Sequence, residues 1–255
     1  GEFQAEKNCN NLNVSVNLDR DNQIAWGAIA RKTGGFSLKI TPISVASVLE
    51  PIWQRQPVVI IGSFLDRESN ALIYRQQLGL EEILTLKFSP NRQTEHIQLY
   101  LPDRLPMPNT PEFQGALLAQ IRTLINASSQ LNKPIVVLVG DVPLKAQIGA
   151  NLAAEFGSRV RVEKHNLANN GILISGWEFW RSHQEKLSPP QLLIIATLPL
   201  PSLENPLVAA TVAYYKHRHQ DWFRLYLLPT ALRELQQAIL PLRESQNFSY
   251  HKLGR

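Results

Sequence analysis

The residue types able to recognise another molecule fall late in this sequence. Trp177, Phe179 and Trp180 follow an apolar run, and Arg181 and Lys186 come just after them. An aromatic ring can stack on a nucleobase, worth about 1–3 kcal/mol per base, and guanidinium and ammonium groups contact phosphates. The same aromatics also suit packing. Lys216, Arg218 and Arg224 form a second group, interleaved with Tyr214, Tyr215, Trp222 and Phe223, which read as core. Each cation taken singly also reads as ordinary solvated charge. His217 and His219 lie two apart, so on a helix they point to different faces and serve a metal poorly. Asp141, just past an apolar run, has the type to hold a metal or a ribose, or to cap the next helix.

Catalytic signatures are missing from this chain. It has no Gly-x-x-x-x-Gly-Lys-Ser/Thr to cradle phosphates, no Gly-x-Gly-x-x-Gly, no His-Glu-x-x-His and no Gly-x-Ser-x-Gly elbow. A single cysteine, Cys9, closes no intrachain disulfide and rules out cysteine-ligated iron–sulfur clusters and multi-cysteine zinc sites. The residues therefore assign no catalytic group, no metal site and no cofactor to this chain.

Composition sets the class. The 255 residues are 44% hydrophobic and 18% charged, an ordinary globular balance. The formal net charge is +5, unevenly placed. Residues 1–85 carry 8 basic and 9 acidic groups, and residues 86–255 carry 18 and 12, so the second part holds a net +6. Such a surplus favours a polyanionic partner or plain solubility. No apolar run approaches the ~18 residues of a membrane span, and no signal segment is visible. The expectation is a soluble, cytoplasmic chain without a membrane partner.

The elements that would hold these residues can be read from periodicity. Residues 12–18 and 36–40 alternate apolar and polar, and 24–29 reads as a returning strand. Residues 45–53 and 67–78 suit short helices around Val58–Ile61, an apolar run expected to be a buried strand. Residues 82–88 and 96–101 are strand-like. From there strands at 134–139, 159–163, 172–174 and 191–196 alternate with helices at 111–129, 144–156, 205–219 and 229–240. This order implies an α/β fold with a mostly parallel sheet, helices on both faces, and a smaller β-rich segment in front. Parallel sheets bind ligands at the carboxyl ends of their strands, here the loops 140–143, 175–190 and 197–205.

Several segments, in order, resemble the second motor half of DinG/XPD-like superfamily 2 DNA helicases. Residues 193–201, LIIATLPLP, and 205–210, NPLVAA, resemble the family's "LVIIxKLPFPxPxDPLVAAR". Residues 174–180, ISGWEFW, resemble "GTxSFWEGVD", and 223–229 with 235–237 resemble "F..Y.LPxAxLRLKQGFGRLIRS". Residues 57–65 sit where the family has "PVILTSATL". The resemblance runs over about 24–245. It implies a RecA-like domain over 86–255, with 1–85 corresponding to the end of the first motor half. It also implies an ATP-dependent, single-strand-translocating helicase whose P-loop and Mg²⁺ site belong to the first half. ATP and Mg²⁺ are thus cofactors only of a complete family member. The partners implied are single-stranded DNA and a first motor domain or other protein.

Departures fall on the nucleotide-facing motifs. The family's "QGFGRLIR" aligns with Gln237–Glu244, and its two arginines fall on Pro241 and Glu244. Arg243 is one position off, a rotation of about 100° on a helix, and Pro241 disturbs the turn. The acidic pair of "EGVD" is replaced within Arg181–Gln184. Gln237 and Arg243 are the nucleotide-facing positions by resemblance. Trp177, Arg181, Lys186, Lys216 and Arg218 are the candidates for nucleic acid, Trp177 because the family places no aromatic there. The expectation is a fragment or reduced relative that does not hydrolyse ATP alone. A catalytically inactive module acting as a protein-interaction scaffold is the alternative.

Overall fold

A computed structural model describes residues 22–30, 34–62, 70–86, 98–128 and 132–244. The strand expected over 12–18, Cys9, and parts of the 67–78, 82–88 and 96–101 readings lie outside the described residues.

By contacts the chain divides into two compact units. The first is Gly1–Thr85 with Ser202–Tyr226, and the second is Leu86–Pro201 with Leu227–Arg255. The sequence reading has 86–255 as a single domain; the contacts group Ser202–Tyr226 with residues 1–85.

The second unit contains a parallel sheet of β3 (Ile135–Leu138), β4 (Val160–Val162), β5 (Ile172–Ser175) and β6 (Leu192–Ile195), in the order β4-β5-β3-β6. The other sheet among the described residues belongs to the first unit. Side chains alternate across a strand, and β3 shows both halves. Ile135, Val137 and Val139 pack with Phe113, Leu117, Ile121 and Ile125 of α3 (Glu112–Ala127) and with Leu144, Ile148 and Leu152 of α4 (Val142–Phe156). Val136 and Leu138 face the other way, toward Trp180 of α5 (Trp177–His183) and Ala238 of α7 (Leu228–Ala238). The sheet is buried on both faces, which is why its strands are apolar without alternation. This is the α/β, RecA-like arrangement the sequence implies.

The first unit is small. β1 (Gln23–Ala30) and β2 (Gly35–Pro42) pair antiparallel, and α6 (Pro206–His217) packs on β1. The chain turns at Asn22, whose side chain donates to the Ser44 carbonyl at 2.8 Å and accepts from the Ser44 N–H at 3.1 Å. α1 (Ala46–Trp53) is tied to α2 (Leu72–Leu78) by the Trp53 indole N–H donating to the Leu78 carbonyl at 2.8 Å. Gly79 ends α2 at φ +68°, and a Cβ there would lie 2.8 Å from the Ala46 carbonyl oxygen.

Three strand expectations are corrected. Val58–Ile61 forms no strand, with Val59 85% and Ile61 91% exposed. Residues 83–86 and 98–101 are also irregular, and Leu84 and Leu99 are exposed. A continuous apolar run becomes a buried strand only where layers cover both faces, and none does so here among the described residues. The expected loop 175–190 contains α5 and a 3₁₀ turn at Gln184–Lys186. Seven helical residues are too few for the 3.6-residue period to declare itself.

Candidate nucleic-acid interface

The carboxyl edge of the parallel sheet is built by short backbone ties. The Ala196 N–H donates to the Leu138 carbonyl at 2.9 Å, and the Gly140 N–H donates to Thr197 Oγ1 at 2.6 Å. Asp141 caps α4, its Oδ1 accepting from the Leu144 N–H at 2.7 Å, so this carboxylate serves the helix. Glu163 leaves β4 in a left-handed conformation, φ +48°. Its Oε1 accepts from Lys145 Nζ at 2.5 Å and from the Gly176 N–H at 3.0 Å. Burial raises the Glu163 carboxyl, but the Lys145 hydrogen bond, the Gly176 N–H and the lysine charge outweigh it and hold the group below its ordinary value. One carboxylate thus joins β4, α4 and the start of α5.

Trp177 opens α5 from that point. It is half-buried against Gly140, where a Cβ would lie 3.2 Å from Trp177 Cδ1. Its indole N–H is buried and has no acceptor among the described residues. Trp180, one helical turn on, is 1% exposed, and its indole N–H donates to the Ala238 carbonyl at 3.1 Å. Arg181 reaches α7, with Nη1 2.6 Å from Glu234 Oε1, while half its side-chain surface stays in solvent. Trp177, Arg181, Gln184, Glu234 and Gln237 line one shallow depression that encloses no water-sized void.

Three of the residues singled out from sequence, Trp177, Arg181 and Gln237, therefore meet in one place. Lys186 stands exposed on the 3₁₀ turn that follows α5. Arg243 is on α8 (Leu240–Glu244), and its side chain lies outside what is described. The helical path is broken between α7 and α8, and Pro241 is buried.

Lys216 and Arg218 belong to the first unit, at the end of α6. Lys216 Nζ sits 5.1 Å from the Trp222 ring centre, and the Arg218 guanidinium 4.6 Å from that of Tyr214. Each is a cation over an aromatic face. Tyr215 stacks near Tyr226 at 6.4 Å, and burial pushes both hydroxyls above their ordinary range. Phe223 meets Trp222 edge-on at 6.2 Å and is 41% exposed, where the sequence reading has it as core. Lys216, Arg218 and Arg224 are also exposed, Arg224 beside Asp221 at 3.5 Å. The signal for this surface is in the sequence, as alternating cations and aromatics over 214–224; the exposure of Phe223 is not.

Among the described residues no three His, Cys, Asp or Glu side chains converge as a metal site, and no helix is long and apolar enough to cross a membrane.

No protein-family model matches the chain. It is similar to the ATP-dependent DNA helicase YoaA of Escherichia coli (strain K12), 23% identical over 214 residues. That similarity covers 80% of this chain and 34% of YoaA, so the chain spans about a third of the length of this relative. The relationship is helicase-like and extends across most of the chain.

Proposed function

We propose that this chain is the second motor half of a DNA helicase-like protein, with part of the first half attached, and that it binds single-stranded DNA without hydrolysing ATP on its own. The observation that carries this reading is the breadth of the similarity to a DNA helicase, 80% of the chain, in a sequence that has no P-loop. Two surfaces support it. The stretch from the end of α6 to Arg224 carries the exposed cations Lys216, Arg218 and Arg224 and the exposed Phe223, the types of group that hold single strands. The α5 surface sets the half-exposed Arg181 beside Trp177 and Lys186 nearby in sequence. The depression beside Gln237 does not fit a nucleotide by itself: it is shallow, and its arginine is paired with Glu234. In this reading ATP and Mg²⁺ belong to a complete motor that has both halves.

The test is fluorescence anisotropy with a labelled oligothymidine over 50–200 mM salt. Three phosphate contacts give a slope of about −2 in log affinity against log salt, from roughly −0.7 per contact. ATP turnover stays at background with and without DNA. Affinity independent of salt sinks the reading.

A second reading, a protein-interaction scaffold, is favoured by the exposed apolar residues Val59, Ile61, Leu84 and Leu86. Its partner would be a first motor domain or another protein. Salt-dependent DNA binding near micromolar concentration, with mixing against the separately produced first motor domain giving no complex, counts against it.

A further inference from the structure

The connection between β4 and β5 carries His165, exposed to solvent, and α5 ends on His183. Neither has a part in the function proposed above. Their ring centres are 4.2 Å apart with the planes inclined at 57°. His183 Nδ1 lies 2.8 Å from the Phe179 carbonyl oxygen. A carbonyl only accepts, so Nδ1 is the donor, and in the neutral ring Nε2 is then left with its lone pair. This is how ligating histidines are held: one ring nitrogen donates to a backbone carbonyl, which fixes the tautomer and turns the other toward the ion. The Phe179 ring flanks both imidazoles, at 4.3 Å from His183 and 5.2 Å from His165.

We propose that His165 and His183 form a two-histidine site for a divalent late transition ion, Cu²⁺ or Ni²⁺. Two imidazoles with open positions beside them suit Cu²⁺ and Ni²⁺. A metal–nitrogen distance of about 2.0–2.1 Å puts an imidazole centre about 3.2 Å from the metal, so two rings at right angles have centres about 4.5 Å apart and two at a tetrahedral angle about 5.2 Å. The observed 4.2 Å lies nearer the first separation, so a right-angled site needs the smaller movement once both ring nitrogens face the ion. Right-angled nitrogen ligation belongs to the tetragonal and octahedral geometries of Cu²⁺ and Ni²⁺, whereas Zn²⁺ prefers the tetrahedron. No third His, Cys, Asp or Glu joins the pair among the described residues. The ion keeps its remaining positions for water or an outside ligand. It also bridges the β4–β5 connection to α5, the helix that carries Trp177 and Arg181.

The experiment is calorimetric titration of the full chain, stripped with chelator, with Ni²⁺ and separately with Zn²⁺. Nitrogen couplings in the electron paramagnetic resonance spectrum of the Cu²⁺-loaded chain give a second readout. The chain has 6 histidines, so His217→Ala controls for the other close pair. His165→Ala changes an exposed side chain. His183→Asn keeps a donor for the Phe179 carbonyl while removing Nε2. Each should weaken the tightest Ni²⁺ site more than about tenfold, the scale of losing an element of a metal's ligand shell. His217→Ala should leave it unchanged, and the Cu²⁺ spectrum should lose one nitrogen in either single variant. Equal affinity in wild type, His165→Ala and His183→Asn overturns the proposal, as does tighter binding of Zn²⁺ than of Ni²⁺.

Discussion

Replacing Trp180 by Phe tests how α5 is held to the sheet and to α7. Trp180 is 1% exposed, and its indole N–H donates to the Ala238 carbonyl, a group at the end of α7 that has no partner within the helix. Phenylalanine keeps a ring but loses that donor, which orphans a buried carbonyl at about 1–3 kcal/mol. The smaller ring also gives up apolar contact equivalent to one or two buried CH₂ groups, about 1–2 kcal/mol. The sum is about 2–5 kcal/mol, a large share of the roughly 5–15 kcal/mol that holds a domain together. Urea unfolding followed by far-UV circular dichroism should show a lower midpoint at unchanged slope. Thermal unfolding should shift down by roughly 4–20 °C, from about 2–4 °C per kcal/mol at this chain size. Arg181→Ala, which removes only the neighbouring ion pair with Glu234, serves as the comparison, and a half-exposed pair is worth about 1 kcal/mol or less. A Trp180→Phe shift within the ±0.5 kcal/mol of an ordinary surface change would refute the reasoning.

Other outcomes follow from single residues. Gly79→Ala should cost at least about 2 kcal/mol by chemical denaturation, because the left-handed backbone costs about 1–2 kcal/mol and the new methyl collides with the Ala46 backbone. For Glu163 the folded carboxyl lies below its ordinary 4.5, so its stabilisation is present above that value and disappears as pH falls through the folded one. The stability gap between wild type and Glu163→Gln should be widest near pH 7 and close in acid, as read by urea midpoints along a pH series. Ile61→Ser should change stability by less than about 0.5 kcal/mol, since Ile61 is 91% exposed; a buried strand there would lose several times more. Lys216→Ala should lower single-strand affinity uniformly across sequences and make the salt slope shallower by about 0.7, measured by anisotropy.

The parallel sheet was legible because Val, Ile and Leu in unbroken short runs, separated by long amphipathic stretches, leave few other arrangements. Residues 135–138, 172–175 and 192–195 show it. The same signal at 58–61 failed, since burial depends on what lies above and below a run and not on the run. Asp141 as a helix cap was readable from its place before Val142-Pro143. The α5 surface was readable only in part. Residue types pointed to Trp177 and Arg181, but Glu234, 53 positions away, is what holds the guanidinium. Nor could spacing reveal that Glu163 ties Lys145 to Gly176, or that His165 meets His183, because each contact is made by the fold's return on itself.

The grouping of Ser202–Tyr226 with the first 85 residues bears on the order in which the protein can be made. β1 and β2 emerge from a ribosome before α6, which packs on β1 and is synthesised only after the whole of 86–201. The hairpin must wait with Ile29, Phe36, Leu38 and Ile40 in water, all of which remain substantially exposed even at the end. The second unit is divided in turn, because α7 is translated after α6. Neither unit can finish before the other is largely threaded, so nascent chains halted anywhere between 85 and 226 should hold unpaired strand edges and call on chaperones.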